Sequence, residues 1–155
     1  GYIMYDKDHL CMNLILNIRK INRLLDKYTK YLNQKYNITL PQLICLYEIK
    51  REGSINLTEL TRRVNLNNSA ITGIVDRLEL KGYVRRVKSG KDRRIINIEL
   101  TEKGTDFVDR SFQVLEDDCF FEKNKFDEQA IVNLIKSIQK ITDSFDPEVK
   151  KIEIN

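Results

Sequence analysis

"NNSAITGIVDRLELKGYVRRVKSGKDRRIINIELTEKG", residues 67–104, reads as a helix, a glycine stop and a hairpin in direct succession. Ile71, Ile74, Val75 and Leu78 recur at steps of three and four, the stripe of a helix packed on a core. Asn68, Ser69, Thr72, Gly73 and Asp76 make the opposite face, and Asn67 or Asn68 is the expected cap. Gly82 ends the helix. "YVRRVK" and "RIINIEL" then read as two strands around a loop, with Ile96, Ile98 and Leu100 on one side. Just upstream, Thr58 is the expected cap of a brief helix, "ELTRRV", and "NLN" at 65–67 is a tight connection. Two short helices joined this closely form a helix-turn-helix, and a hairpin directly after the second makes it winged.

Working outward, residues 9 to about 34 read as a long helix, with Leu10, Leu14, Ile18, Ile21, Leu25, Tyr28 and Leu32 on one stripe. Thr39 caps the next helix, with Leu40 and Pro41 in its first turn, and that helix stops at Gly53. "SINL" is a short extended piece. Thr101 caps a helix expected to run to about 121, and a last helix spans about 127–145, closed by Pro147. The tail "EVKKIEIN" has no assignment from its pattern. The fold class is mainly α (α+β): one domain over 1–155, with a winged helix at about 38–101 and flanking helices at about 8–35 and 101–145. The apolar stripes of those flanking helices exceed what a winged core of roughly 80 residues could cover.

Composition narrows the function. Of 155 residues, 41% are hydrophobic and 32% charged, ordinary for a globular protein with long amphipathic helices. No apolar run approaches the ~18 residues of a membrane span, and "GYIMYDKDHL" lacks a basic-then-apolar leader pattern. The expectation is a cytoplasmic protein without membrane contact. Three cysteines, Cys11, Cys45 and Cys119, are an odd count without C-x-x-C spacing, which argues against a disulfide scaffold or structural zinc. His9 is the only histidine and there is no phosphate-binding glycine loop, so neither catalytic residues nor a cofactor are expected. His9 and Cys11 form an H-x-C pair, but two ligands do not make a metal site. The net charge is +4, unevenly spread: residues 62–94 carry a net +7 and residues 105–155 a net −5. One face is built to meet a polyanion.

The helix face and the hairpin tip are where it would be met. A small face of hydroxyls and amides fits a major groove about 12 Å wide. Gly73 lets the backbone approach closely, or is a tolerated surface glycine. The tip "KSGKDRR" carries Lys88, Lys91, Arg93 and Arg94 around Asp92. It can reach a minor groove, where arginine meets enhanced negative potential, or serve as a solvated hairpin that blunts an edge strand. Asp92 is expected to steady the tip by pairing with Arg86 or Arg77.

These residues resemble a family. "DRRIINIELTEKG" is similar to the D-x-R wing signature of MarR-type transcription regulators, running into L-T-x-x-G. "NNSAITGIVDRLELKGYVRR" resembles that family's recognition helix and first wing strand, and "NITLPQLICLYEI" the start of its second helix. The likeness spans roughly residues 9–145. It implies a homodimer in which the first and last two helices interdigitate, placing two recognition helices on a pseudo-palindromic operator in double-stranded DNA, with half-sites about one turn, ~34 Å, apart. It also implies repression relieved by a small molecule, often aromatic or phenolic, bound between the dimerisation helices and the winged lobe. Carried over, Asn68, Ser69 and Thr72 match the groove-reading face, Arg94 the minor-groove arginine, Asp92 the steadying acid and Arg86 the end of the first wing strand. Gly73, Arg77, Lys91 and Arg93 complete the expected DNA-binding set. Arg85 departs from the pattern, which often has an acid there.

On the first helix, Arg19, Arg23, Tyr28 and Tyr31 are candidates for the effector pocket, although tyrosines at helical spacing also serve as core or interface. Two alternatives stay open. One branch of the family senses oxidants through a cysteine near the start of its first helix, and Cys11 is near such a position. A winged helix can also serve as a protein-interaction module, which needs no basic face.

Overall fold

The computed structural model describes residues 7–117 and 119–153. The chain's first six residues, Asp118 and residues 154–155, all included in the expected domain or its helices, lie outside the described residues.

Helix α1 (Leu10–Tyr36) is the longest element and ends where Asn37 enters the left-handed region at φ 55°. Asparagine tolerates that conformation better than most side chains. Helix α2 (Leu40–Glu52) opens on the expected cap: Thr39 Oγ1 accepts from the Gln42 N–H at 3.3 Å, and Gln42 Oε1 accepts from the Thr39 N–H at 3.2 Å. This reciprocal pair is a capping box. After Gly53 comes β1 (Ile55–Asn56), then α3 (Leu57–Val64), α4 (Asn68–Leu80), β2 (Val84–Lys88), β3 (Ile96–Leu100), α5 (Glu102–Asp117), α6 (Glu128–Asp143) and α7 (Pro147–Lys150).

Three boundaries differ from expectation. Asn56, rather than Thr58, caps α3: its side chain accepts from the Glu59 N–H at 2.8 Å, because the strand delivers the asparagine in extended geometry. Helix α5 ends at Asp117, short of 121. Beyond it Phe120 packs on Tyr28 of α1 at 5.9 Å and Phe121 on Phe126 at 5.7 Å, so the segment gains aromatic contacts in place of another helical turn. Pro147 begins a short helix under an Asp146 cap, since its missing N–H costs nothing at the first position.

The sheet order is β1-β3-β2, all antiparallel, with Ile98 opposite both Ile55 and Arg86. The core lies inside the winged lobe. Leu43, Leu46 and Ile49 of α2, Leu60 of α3, and Ile71, Ile74, Val75 and Leu78 of α4 are buried against Val84, Ile98 and Val108. The four α4 residues are the stripe expected from the sequence. Ile96, Ile98 and Leu100 share a strand face, but only Ile98 is fully buried, because Ile96 sits at the outer end of the wing beyond the core.

Helix α5 is locked to the turn between α4 and β2. Gly82 takes φ +79°, a conformation costly for other residues. Its carbonyl accepts from the Thr101 hydroxyl at 2.5 Å, and the Tyr83 carbonyl accepts from the Thr101 N–H at 3.0 Å. Gly104 lies so close to this turn that a Cβ there would stand 1.9 Å from the Tyr83 oxygen. The glycine three residues after Thr101 is thus a steric requirement.

Outside the lobe the picture reverses. The first half of α1 exposes Leu10, Leu14, Ile15 and Leu16, and α6 exposes Leu134, Ile135 and Ile138. No residue of α6 is buried. Gly104→Ala is expected to cost about 2 kcal/mol or more despite the helix propensity it gains, because backbone must move to admit the methyl. Urea unfolding of the parent and variant checks this, and an unchanged midpoint would refute the steric account.

Candidate nucleic-acid interface

The helix-turn-helix is set by asparagines. Asn65 closes α3 in the left-handed region at φ 55°. Two residues on, Asn67 caps α4, its Oδ1 accepting from the Ala70 N–H at 2.8 Å and from the Ser69 hydroxyl at 2.9 Å. Helix α3 is tied down by charge. Arg63 donates to Glu59 at 3.1 Å and Glu52 at 2.5 Å, and lies 3.5 Å from the Glu48 carboxylate. Hydrogen bonds from Arg62 and then Arg63 pull the Glu59 carboxyl down to about 2.

Helix α4 therefore presents Asn68, Ser69 and Thr72 outward, all exposed. Both hydroxyls are oriented: Ser69 by Asn67, and Thr72 by donating to the Asn68 carbonyl at 2.9 Å. Each keeps acceptor lone pairs toward solvent. Gly73 lies on the same face with Arg77 folded back over it, the guanidinium nitrogens 3.9 Å from where a Cβ would be. A Cβ at that distance would be in ordinary contact, so the fold leaves room for a side chain at this position.

The wing is braced to this helix. Arg86 on β2 donates to Asp76 at 2.6 Å and to Glu79 at 2.7 Å, both on α4. Sequence reading placed Arg86 among the DNA contacts and overlooked its partners. The signal was there, since two acids three apart on one helix face can share a cation. Asp92 corrects the expectation too. It pairs with Arg94, not with Arg86 or Arg77: Oδ1 accepts from the Arg94 backbone N–H at 3.0 Å and from Nε at 3.2 Å. An aspartate bonded to the backbone two residues on is an Asx turn, which is cheaper than reaching across the sheet to an arginine already held by two carboxylates. The hairpin closes through the Ser89 N–H to the Ile95 carbonyl at 2.9 Å. Arg94 is held through its backbone and its guanidinium yet its side chain is 91% exposed, and Lys88, Lys91 and Arg93 are exposed around it. Arg85, the departure from the family pattern, lies opposite Glu99, 3.8 Å away across the strands.

Two of the four candidate effector residues are brought together. Tyr28 and Tyr31 border a hollow of about 450 Å³ with Leu24, Phe120 and Phe121, while Arg19 and Arg23 line neither this hollow nor the cleft described next. That cleft, of about 300 Å³, opens between the end of α1, the start of α2 and α5. Its walls include Leu32, Tyr36, Leu43, Phe107 and Leu115, with Arg110 as its one charged group. Sequence periodicity flags the stripe of α5 but not what faces it. Cys11 is exposed near the start of α1 and Cys119 half-buried, whereas burial pushes the Cys45 thiol up to about 12. Among the described residues no three His, Cys, Asp or Glu side chains converge on a metal site, and no helix is long and apolar enough to cross a membrane.

Comparison with known proteins agrees with this geometry. The profile described as "MarR family" matches residues 38–96. The transcriptional regulator SarZ of Staphylococcus haemolyticus is 31% identical over 150 residues, covering 92% of this chain and 97% of the relative. The transcriptional repressor MdtR of Bacillus subtilis is 31% identical over 101 residues, 65% of each chain. Among solved structures, a mutant MarR from E. coli complexed with operator DNA superposes with a TM-score of 0.70 at 25% identity, covering 88% of this chain and 99% of that one.

The Arg94 side chain, then its backbone N–H, hold the Asp92 carboxyl below the usual carboxylate range. The stabilisation of the wing turn is therefore present above the ordinary aspartate value and is lost as pH falls through the lowered one. An NMR titration of side-chain carboxyls is expected to put the Asp92 midpoint lower in the parent than in Arg94→Gln, which keeps only the backbone bond. Coincident midpoints in parent and variant would contradict the pairing.

Proposed function

The chain belongs to the MarR family, and from that premise we propose that it is a homodimeric repressor, released from its operator by a small aromatic ligand. It is a transcriptional regulator that binds DNA. What carries the finer reading is the braced unit of α4 and wing. The exposed Asn68, Ser69 and Thr72 suit base edges and phosphates in a major groove. Arg94, its exposed guanidinium steadied by Asp92, suits the flanking minor groove, with Lys91 and Arg93 beside it on the phosphates. Arg77 lies along the same face. Arg86 acts at one remove, by holding the wing at a fixed angle to α4.

Pairing of two chains is supported by the uncovered apolar faces. Leu10, Leu14, Leu134, Ile135 and Ile138 are all more than two-fifths exposed, and apolar side chains grouped on the flanking helices suit an association surface. Flanking helices at about 8–35 and 101–145 would then interlock with their copies, and two winged lobes would address a pseudo-palindrome. Repression is supported by the relative named as a repressor. For the ligand, the cleft walled by Tyr36 and Phe107 offers aromatic faces and one guanidinium, Arg110, a setting for a flat anion. Such a molecule releases DNA only if it binds the non-gripping arrangement of lobes more tightly.

Two experiments test this. Arg94→Gln is expected to weaken operator binding and to reduce the slope of log K against log salt by about 0.9, the share of one phosphate. A slope equal to the parent's counts against the wing contact. Ile138→Glu is expected to give a monomer in sedimentation and to weaken operator binding by at least roughly 100-fold, the avidity of a second half-site. A dimer that binds normally would remove α6 from the interface.

A further inference from the structure

Lys81 closes α4, its N–H donating to the Arg77 carbonyl at 3.0 Å, but its side chain leaves the helix altogether. It crosses to the elbow between α1 and α2. There Nζ donates to the Asn37 carbonyl at 2.5 Å and stands 3.5 Å from Gln42 Oε1. Both acceptors are structural. Asn37 is the left-handed residue that turns the chain out of α1, and Gln42 is 5% exposed and half of the capping box that starts α2. The elbow has a second pin, the Leu40 N–H donating to Thr29 Oγ1 of α1 at 2.8 Å. On its other side, the Lys81 carbonyl accepts from Lys103 Nζ of α5 at 2.8 Å. One residue at the end of the recognition helix thus joins the elbow of α1 to the first turn of α5.

Its direction also matters. At 3.6 residues per turn, the nine residues from Thr72 to Lys81 place the two about 180° apart around α4. Lys81 faces away from the exposed hydroxyl and amide face. Burial pushes its amine below the usual lysine range, consistent with a cation drawn from water onto one backbone carbonyl and one side-chain amide oxygen.

We propose that Lys81 is a positioning residue: its bond to the Asn37 carbonyl sets the direction of α4 relative to the α1–α2 elbow, and it touches no DNA. The proposal rests on the reading of α4 as the DNA-facing helix. Helix α1 has 27 residues and so is a lever of about 40 Å. Tyr36 and Ile38, which flank Asn37, both line the cleft of about 300 Å³. A displacement of the elbow, from the lever or from a cleft occupant, reaches the recognition helix through this bond.

The test uses the full chain and a duplex that the parent selects from a randomised library. Lys81→Met keeps the apolar stem and removes the donor; Lys81→Arg keeps a donor. Lys81→Met is expected to weaken binding by roughly tenfold or more, the scale of one charge-assisted hydrogen bond, with the salt slope unchanged. Lys81→Arg is expected to recover most of the loss. Parent-like binding by Lys81→Met overturns the proposal. So does a slope reduced by about one, which marks a direct phosphate contact, or a loss fully matched by the unfolded fraction in circular dichroism. Should Lys81→Met fail to fold, Lys81→Gln is measured in the same way, since its shorter amide cannot span to Asn37. Arg94→Gln, run alongside, separates the two readings. If it alone weakens binding, the Lys81 assignment fails; if Lys81→Met alone does, the wing contact fails.

Discussion

The structure depends on the missing side chain at Gly104. Without a Cβ there, the first turn of α5 settles against the Tyr83 carbonyl, and Thr101 hydrogen-bonds the same turn through its hydroxyl and its N–H. That contact fixes where α5 leaves the winged lobe. It also fixes the floor on which α4 ends, because residues 81–83 belong to both. A backbone-to-backbone approach of this kind has no soft degree of freedom to absorb an added atom. The L-T-x-x-G signature is therefore a packing rule written as a motif: a threonine to bond the turn, then a glycine three positions later on the helix face that meets it.

Charge does the remaining fixing, and it does so unequally. The basic middle of the chain, net +7 over 62–94, is not a uniform surface. Arg63 is committed to Glu59 and Glu52 with Glu48 nearby, Arg86 to Asp76 and Glu79, and Lys81 to the elbow. The cations left at the surface of the lobe are concentrated on the wing and beside Gly73. Exposed pairs of this sort are individually weak in stability terms. Their larger effect is geometric, since each one ties an element of the reading head to its neighbour.

Much of this was legible in the residues. The four-residue stripe of α4 gave the helix its inward face, Thr39 and Thr101 marked two helix starts, and the glycine at 82 marked a stop. These are local signals, carried by backbone hydrogen-bond geometry within a few positions. What could not be read was anything requiring knowledge of which side chain faces which across the fold. Asp92 was expected to pair with Arg86 or Arg77, and only the closed hairpin shows that Arg94, two residues on, holds it. The acids that hold Arg86 lie seven and ten residues away on another element, beyond what a local pattern connects. The make-up of the cleft was out of reach for the same reason. Residues of α1 were named by their helix, whereas the cleft is made by the end of α1 together with α5.

The brace from Arg86 to α4 has a mechanical corollary. Two carboxylates of α4 share one guanidinium of the hairpin, so the angle between helix and wing is set inside each lobe, as in the jaw of a caliper. In the proposed dimer, preference for a half-site would be cast into each lobe, while tolerance for the gap between half-sites would belong to the long helices alone. Target choice and responsiveness could then drift separately over evolutionary time, because different parts of the chain encode them.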